Sequence, residues 1–277
     1  MRYIACPLCA SKEYGLLYDF SQANFGDYKI VKCDKCAFVF RNPQPNEEET
    51  KDFYKEGYFT GTTDYIYQDE RESQQLLERY AKKIACLRKL KYQGRFLDIG
   101  CAFGGLLGAA SLYYEPYGVE ISPYAADYCQ RNNLKVFQGT LEEAAFPDNF
   151  FDLINMVEVI EHLPQPRQTI KEIYRVLKSD GILVIKTSNI ESFSAKAGGS
   201  RWRYLLPGHL GYFSVKTLYG LLSSVGFKLV GITGDLKPGE TFEALGIQAY
   251  ALNLLLGFKM RLLANRLIRG MTFFVRK

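Results

Sequence analysis

The sequence predicts an α/β protein, in which a mostly parallel sheet is covered by helices on both faces and follows a small cysteine-bearing module. Three observations predict this class. From residue 95 onward, strand patterns alternate with helical patterns, which is typical of a parallel sheet. A glycine-containing turn at 98–105 follows the first of these strands, and two Cys-x-x-Cys pairs lie within the first 36 residues.

The apolar pattern predicts seven strands in the α/β part. The strands are expected at 95–99, 117–121, 135–138, 151–156, 182–187, 227–233 and 271–275. The helices between them are expected at 106–113, 123–132, 165–177 and 215–225, the last with Ser214 as its cap. A further helix over 70–92 precedes this series, and Gly94 ends it.

The net charge of +5 is concentrated near the end of the sequence. No acidic residue follows Glu243, whereas six basic residues do: Lys259, Arg261, Arg266, Arg269, Arg276 and Lys277. The other 29 of the 35 basic residues stand against 30 acidic ones, so the rest of the chain is nearly neutral. This distribution argues against a nucleic-acid partner, because phosphate contacts need clustered Lys and Arg.

The first residues lack the apolar region of a signal peptide, and no apolar run is long enough to span a membrane. We therefore expect a cytoplasmic protein, in which cysteines serve as thiols or metal ligands.

The two cysteine pairs are Cys6 with Cys9 and Cys33 with Cys36. Four thiolates at this spacing predict a closed, tetrahedral structural zinc site. The metal would supply stability that a segment of about 45 residues cannot obtain from a core of its own. Unpaired thiols or redox pairs are the alternative.

The turn at 98–105 has the context of a ligand-binding turn. Asp98 ends a strand, a helix follows, and Glu120 ends the next strand, where a carboxylate can accept hydrogen bonds from ribose hydroxyls. A glycine turn alone is weak evidence, since a tight strand–helix connection without a ligand has the same appearance.

Five segments between about 90 and 235 resemble class I S-adenosylmethionine-dependent methyltransferases. They are 96–101, 118–122, 139–142, 146–152 and 177–183. The resemblance implies a Rossmann-like sheet of seven strands, and S-adenosylmethionine as the methyl donor.

The resemblance also implies roles for individual residues. Asp98 and the turn residues Gly100, Ala102 and Gly104 would lie near the methionine moiety. Glu120 would bind the ribose, and Ile121, Thr140 and Leu141 would contact the adenine. Met156 and Val157 would lie under the methionine moiety. The family usually has glycine where Ala102 stands.

The chain has two histidines, and both are candidates for a catalytic base. His162 follows the fourth strand of the series and His209 lies in the loop after the fifth, although either could have a purely structural role. Glu158 and Tyr212 are weaker candidates. Glu158, Glu161 and His162 also resemble a divalent-cation cluster of ubiquinone-pathway O-methyltransferases.

We divide the chain into a zinc-ribbon module (1–45), an aromatic linker and helix that cover the cofactor site (46–94), and a methyltransferase domain (95–277). The long connection 188–212 is expected to be a lid over the acceptor, or a solvated loop. A basic amphipathic segment at about 245–269 either packs on the core or contacts a membrane surface peripherally.

The ribbon followed by such a domain is similar to bacterial enzymes that methylate sugars and secondary metabolites. We therefore expect a small-molecule acceptor: a sugar, a glycoconjugate precursor or a secondary metabolite. An RNA or protein methyltransferase that reads its substrate through the ribbon is one alternative. A non-catalytic cofactor-binding partner protein is another.

Overall fold

The computed structural model describes residues 1–20, 27–46, 49, 74–234 and 270–277. Most of the predicted aromatic linker and all of the basic segment 245–269 lie outside the described residues. Among the helices that are described, none combines the length and apolar character needed to cross a membrane.

The described residues form eleven strands, six helices and two short 3₁₀ turns. The strands are β1 Tyr14–Asp19, β2 Lys29–Cys33, β3 Val39–Asn42, β4 Gly94–Ile99, β5 Tyr114–Glu120, β6 Val136–Gln138, β7 Phe151–Val157, β8 Leu177–Ser188, β9 Gly211–Tyr212, β10 Lys228–Gly234 and β11 Gly270–Arg276. The helices are α1 Gln74–Leu90, α2 Gly105–Ala110, α3 Pro123–Arg131, α4 Pro166–Val176, α5 Phe193–Gly198 and α6 Val215–Val225. The 3₁₀ turns are Ile160–His162 and Gly199–Arg201.

The larger sheet has the strand order β10-β11-β8-β7-β4-β5-β6. Its central strand β4 pairs in parallel with β5 on one side and β7 on the other. Side chains on both faces of β4 and β7 are fully buried, including Phe96, Leu97, Leu153 and Ile154. Burial on both faces is typical of a parallel sheet flanked by helices, and the predicted fold class is confirmed.

Serine caps begin two of the predicted helices, and the cap at Ser214 was itself predicted. The Ser122 side chain accepts from the Ala125 N–H before α3, and Pro123 is its first residue. Ser214 and Thr217 form a reciprocal capping box at the start of α6.

Two strands begin several residues before their predicted first residue. β5 begins at Tyr114 instead of 117, because Tyr114–Pro116 pair with the first residues of β4. β8 begins at Leu177 instead of 182, and the Lys277 N–H donates to the Gly181 carbonyl beside this added segment.

The residues group into two compact units. The cysteine unit contains Met1–Asn46, Glu158–Lys171 and Ile185–Val275, and the turn unit contains Glu47–Val157, Glu172–Val184 and Arg276–Lys277. The first 46 residues share a unit with segments from the second half of the chain. The division at 45 and 94 stays a prediction.

A four-stranded sheet, β1-β2-β3-β9, organises the cysteine unit. The pairs are antiparallel, and β9 joins through Val39 opposite Tyr212 and Phe40 opposite Gly211. Gly211 is required there, since a Cβ would lie 2.7 Å from the Phe38 ring. The sequence predicted neither β1 nor β9.

The connection 188–212 packs into the cysteine unit. It contains α5 and a 3₁₀ turn, and its Trp202 and Leu205 are buried with Tyr28, Ile30 and Val39. The solvated-loop alternative is therefore wrong for this segment, although Arg201 and Arg203 are exposed. A lid role stays a prediction.

Candidate functional site

The turn between β4 and α2 uses left-handed backbone conformations at three of its residues. Gly100, Ala102 and Gly104 have φ angles of 71°, 47° and 72°. At Gly104 a side chain is also excluded, because a Cβ would lie 2.3 Å from Leu134 Cδ1. The N–H groups of Gly100 and Cys101 donate to the Val119 carbonyl, at 2.8 and 3.3 Å, so the turn is tied to the end of β5.

The Glu120 carboxylate fixes the same turn from the other side. One oxygen accepts from the Ala102 N–H and the other from the Ser122 N–H, each at 2.9 Å. The side chain is buried, and burial raises the pKa of the carboxyl above its ordinary value. Each oxygen retains accepting capacity beyond the one backbone bond.

Asp98 forms a buried polar pair with Asn155. The two residues lie opposite each other on β4 and β7, and Asn155 Nδ2 donates to Asp98 Oδ1 at 2.5 Å. Burial raises the pKa of Asp98 to about 6. Asn155 Oδ1 is buried without a hydrogen-bond partner among the described residues. Buried polar atoms normally have partners, so this oxygen is available to a ligand.

Ala102 occupies its left-handed position without distortion of the contacts around it. Its N–H reaches Glu120, and its carbonyl accepts from the Cys129 thiol at 3.2 Å. The departure from glycine at this position therefore adds backbone strain but preserves the turn.

Ala102→Gly is expected to raise the free energy of unfolding by about 0.5–1 kcal/mol. Relief of the left-handed strain, roughly 1–2 kcal/mol, outweighs the added entropy of glycine in the unfolded chain. Urea unfolding of both proteins measures the difference. Ala109→Gly, inside α2, is the matched control and is expected to lower stability by about 1 kcal/mol. A loss of stability in Ala102→Gly would contradict the strain argument.

The other predicted cofactor residues all lie in the turn unit. Ile121 and Val157 are half-buried, and Leu141 and Met156 are buried. Thr140 is exposed, and its N–H and hydroxyl exchange hydrogen bonds with Glu143. α1 lies close to the start of α2. The Tyr80 ring of α1 is so near Gly105 that a Cβ on this glycine would lie 2.3 Å from it. Whether α1 covers the cofactor stays a prediction.

The two histidines lie together in the cysteine unit. Their rings are 4.7 Å apart between centroids and nearly perpendicular. His162 Nδ1 lies 3.0 Å from the Gly208 carbonyl oxygen, and His209 is buried. Burial lowers the pKa of His162 to about 4, and that of His209 falls well below its ordinary value for the same reason. Both rings are therefore neutral near pH 7.

The weaker candidates have other partners. The Tyr212 hydroxyl donates to backbone carbonyls within its own loop, at Leu206 and His209. Glu158 is exposed and pairs with Lys186 at 3.7 Å, and its φ of 55° is unusual for a residue other than glycine.

Glu161 is a buried carboxyl beside the histidines. It is 1% exposed, and the polar side chains beside its carboxyl are those of Glu158 and Thr187, neither of which carries a positive charge. Burial and then the nearby Glu158 raise its pKa well above the ordinary value. Potential ligand atoms of Glu161, His162 and His209 lie within 4.8 Å of one another. Glu158, which the resemblance groups with Glu161 and His162, is not a member of this cluster.

The four predicted zinc ligands converge in the cysteine unit. The sulfur atoms of Cys6, Cys9, Cys33 and Cys36 lie within 4.8 Å of one another, and none is in a disulfide. The 3.5 Å separations join Cys6 to Cys36 and Cys9 to Cys33, so they connect the two motifs.

The two Cys-x-x-Cys motifs adopt the same local structure. In each, an alanine follows the second cysteine with a left-handed φ, 59° at Ala10 and 62° at Ala37. Its N–H donates to the carbonyl of the first cysteine, at 2.8 and 2.9 Å. Backbone N–H groups inside each motif also donate to the sulfur of Cys6 or Cys33. The predicted zinc site rests on the four cysteines alone, and the alanine that follows each pair is the further sequence signal that could have predicted these two turns.

The methyltransferase-domain family profile matches residues 65–232, which is more than half of the chain. Among curated relatives, an uncharacterized protein of Methanocaldococcus jannaschii is 28% identical over 56% of this chain and 74% of its own length. A ubiquinone biosynthesis O-methyltransferase of Rhodopseudomonas palustris is 31% identical over 40% of this chain and 45% of its own length. A sterol 24-C-methyltransferase of Pneumocystis carinii is 28% identical over 47% of this chain and 37% of its own length. The chain thus spans less than half of each of these two enzymes.

Solved structures share the fold. A SAM-dependent methyltransferase of Archaeoglobus fulgidus is 19% identical, with a TM-score of 0.54 over 77% of this chain and 99% of that one. A SAM-dependent methyltransferase of Thermotoga maritima is 23% identical, with a TM-score of 0.53 over 76% of this chain and 95% of that one.

Proposed function

Because this chain belongs to the methyltransferase-domain family, we propose that it transfers a methyl group from S-adenosylmethionine to a small-molecule acceptor. The acceptor would be a sugar, a glycoconjugate precursor or a secondary metabolite. The observation that carries the proposal is the 98–105 turn, whose left-handed residues are held by the buried Glu120 carboxylate.

The residues of the turn unit fit the donor. Glu120 has accepting capacity left for ribose hydroxyls, and Asn155 Oδ1 is a buried acceptor that has no partner among the described residues. Asp98 and the exposed Gly100 stand beside them, and Ile121, Thr140 and Leu141 supply surface for the adenine. When bound, S-adenosylmethionine supplies an electrophilic methyl group on a sulfonium. The contribution of these residues is to bind and orient it.

The charge distribution supports a small-molecule acceptor. Without the six basic residues after Glu243 the chain is nearly neutral, and a nucleic-acid substrate would need clustered positive charge. The names of the sterol and ubiquinone relatives also indicate small acceptors for those enzymes.

The four cysteines are proposed to hold one structural zinc ion. Sulfur atoms about 2.3 Å from a tetrahedral zinc are roughly 3.8 Å apart, close to the 3.5 Å separations across the two motifs. Four thiolates leave no open position on the metal, so its role would be to stabilise the cysteine unit.

Calorimetry with S-adenosylmethionine tests the donor site, and transfer of a labelled methyl group tests the reaction. We expect saturable binding at one site per chain, and label in a sugar-containing or secondary-metabolite fraction of a cell extract. Absence of binding would refute the donor site. Label recovered only in RNA or protein would replace the small-molecule acceptor by the alternative, and binding without any transfer would favour a non-catalytic partner protein.

The affinity for S-adenosylmethionine is expected to rise between pH 5 and pH 7. Since burial raises the pKa of Asp98 to about 6, the carboxyl is neutral below that pH and becomes an anion above it. The ligand carries a net positive charge, which the anion attracts. The stability of the free protein depends on pH in the opposite direction to the affinity. The raised pKa of Asp98 stabilises the folded state at low pH, and this contribution is lost as the pH rises through about 6.

Calorimetry at several pH values measures this dependence, with Asp98→Asn as the comparison. We expect the variant to bind more weakly at pH 7 and to show a flatter pH profile. A profile as steep in Asp98→Asn as in the unmodified protein would assign the titration to another group.

A further inference from the structure

The cluster of Glu161, His162 and His209 has the composition of a metal site. Within the described parts of the chain, it is one of two groups that bring at least three potential ligands within 4.8 Å, the other being the four cysteines. We propose that Glu161, His162 and His209 bind a divalent transition-metal ion, separate from the ion at the cysteines.

The backbone around the histidines fixes their tautomers. A carbonyl oxygen can only accept, so the contact of His162 Nδ1 with the Gly208 carbonyl places the proton on Nδ1 and the lone pair on Nε2. His209 forms a backbone hydrogen bond at Tyr204, while its Nδ1 is buried with no partner among the described residues. Metal-binding histidines commonly donate their second nitrogen to a backbone carbonyl in this way.

Glu161 provides an independent observation. Its two carboxyl oxygens are buried, and the polar side chains beside them, Glu158 and Thr187, carry no positive charge that would balance a carboxylate. A buried carboxylate is costly unless it is paired or bound to a metal. A single divalent cation would bind both the Glu161 carboxylate and His209 Nδ1.

The ligand set indicates which ions would bind. Two imidazoles and one carboxylate favour zinc, cobalt, iron or manganese over magnesium, which prefers oxygen ligands alone. Donor atoms at about 2.0–2.2 Å from a tetrahedral ion are roughly 3.4 Å apart, so small side-chain movements would close the site. Three protein ligands leave at least one position open, as in catalytic metal sites.

The open position would take a water molecule. A histidine whose lone pair coordinates a metal cannot accept a proton. The proposal therefore replaces the general-base role predicted for His162 and His209.

The two histidines make nuclear magnetic resonance a direct test, because the spectrum of this chain contains only two imidazole ring systems. The four cysteines of the full chain are first supplied with one equivalent of Zn²⁺, more Zn²⁺ is then titrated in, and long-range ¹H–¹⁵N spectra are recorded. We expect both rings to shift together and to saturate at one added ion. Unchanged rings, or a shift of one ring alone, would refute the site. Neither S-adenosylmethionine nor acceptor is present, so the outcome is independent of the proposed function.

Variants identify the ligands, with Co²⁺ as the probe. Binding at nitrogen and oxygen gives ligand-field bands without the sulfur-to-cobalt charge transfer of the cysteine site. Glu161→Gln and His209→Gln are each expected to weaken Co²⁺ binding roughly 100-fold or more, since even outer-shell partners contribute about 10–100-fold. Glu158→Gln removes a negative charge near Glu161 and is expected to weaken binding much less than Glu161→Gln does. The control Glu191→Gln, at an exposed glutamate of the same unit, is expected to leave binding unchanged.

Equal weakening by Glu158→Gln and Glu161→Gln would overturn the proposed set in favour of Glu158, Glu161 and His162. Unchanged Co²⁺ binding in both Glu161→Gln and His209→Gln would overturn it altogether. If either variant fails to fold, the titration of the unmodified protein still decides.

Discussion

Cys33→Ser is expected to release the proposed zinc ion and to unfold the cysteine unit around it. Cys33 is a buried cysteine of the proposed zinc site at the end of β2, and its carbonyl accepts from the Ala37 N–H in the turn that carries Cys36. Binding of a structural zinc contributes about 10–16 kcal/mol in small zinc domains, so losing one thiolate costs a large share of that free energy. This is the largest effect that we predict on stability.

The single tryptophan reports on this change. Trp202 is 5% exposed and packs with Tyr28, Ile30 and Val39 of the same unit. We expect its fluorescence to shift to longer wavelength in Cys33→Ser, and the zinc content to fall from one ion per chain to near zero. Cys86→Ser, at a half-buried cysteine outside both ligand clusters, is the control and should keep its zinc. Retention of zinc in Cys33→Ser, or metal-free protein with unchanged fluorescence, would contradict the zinc site.

Glu120→Gln is expected to weaken S-adenosylmethionine binding by roughly 10- to 150-fold. Hydrogen bonds to a charged group contribute about 1.5–3 kcal/mol, and the neutral amide keeps only one accepting oxygen. The substitution also places an amide N–H against the N–H of Ala102 or Ser122, both of which now donate to the carboxylate. The turn and the ribose contact are therefore weakened together.

Calorimetry measures the affinity, and thermal unfolding shows whether the variant is folded. Glu115→Gln is the matched control, since Glu115 lies on the same strand but is exposed and pairs with Lys135. It should bind the donor as the unmodified protein does. A folded Glu120→Gln with unchanged affinity would exclude Glu120 from the donor site.

The sequence predicted the larger sheet well because each of its strands carries a local signal. The runs around Phe96 and Ile154 are apolar on both faces. Ser122 caps α3, and Ser214 caps α6. Glu120 was identifiable from its position at the end of β5. Ala102 was recognised as a departure, and its φ of 47° explains why glycine is usual there.

Contacts between residues distant in the sequence were less predictable. β9 has only two residues, and no pattern in Gly211–Tyr212 indicates pairing with Val39 and Phe40. Asn155 stands in an apolar strand, but only the register of β7 against β4 shows that it faces Asp98. His209 likewise lies beside Glu161 and His162 because of the path of its loop. The resemblance to a divalent-cation cluster had grouped Glu158 with these two residues instead.

The pairing of β3 with β9 has a consequence for how the chain acquires its structure. The four clustered cysteines and the first three strands are synthesised long before Gly211–Tyr212, which closes their sheet about 170 residues later. The entropic cost of closing so long a loop grows only with the logarithm of its length, but such contacts slow folding. A ribosome-bound fragment that ends before residue 211 could coordinate metal while leaving β3 as an uncovered edge. We expect the amino-terminal segment expressed alone to be prone to edge-to-edge association.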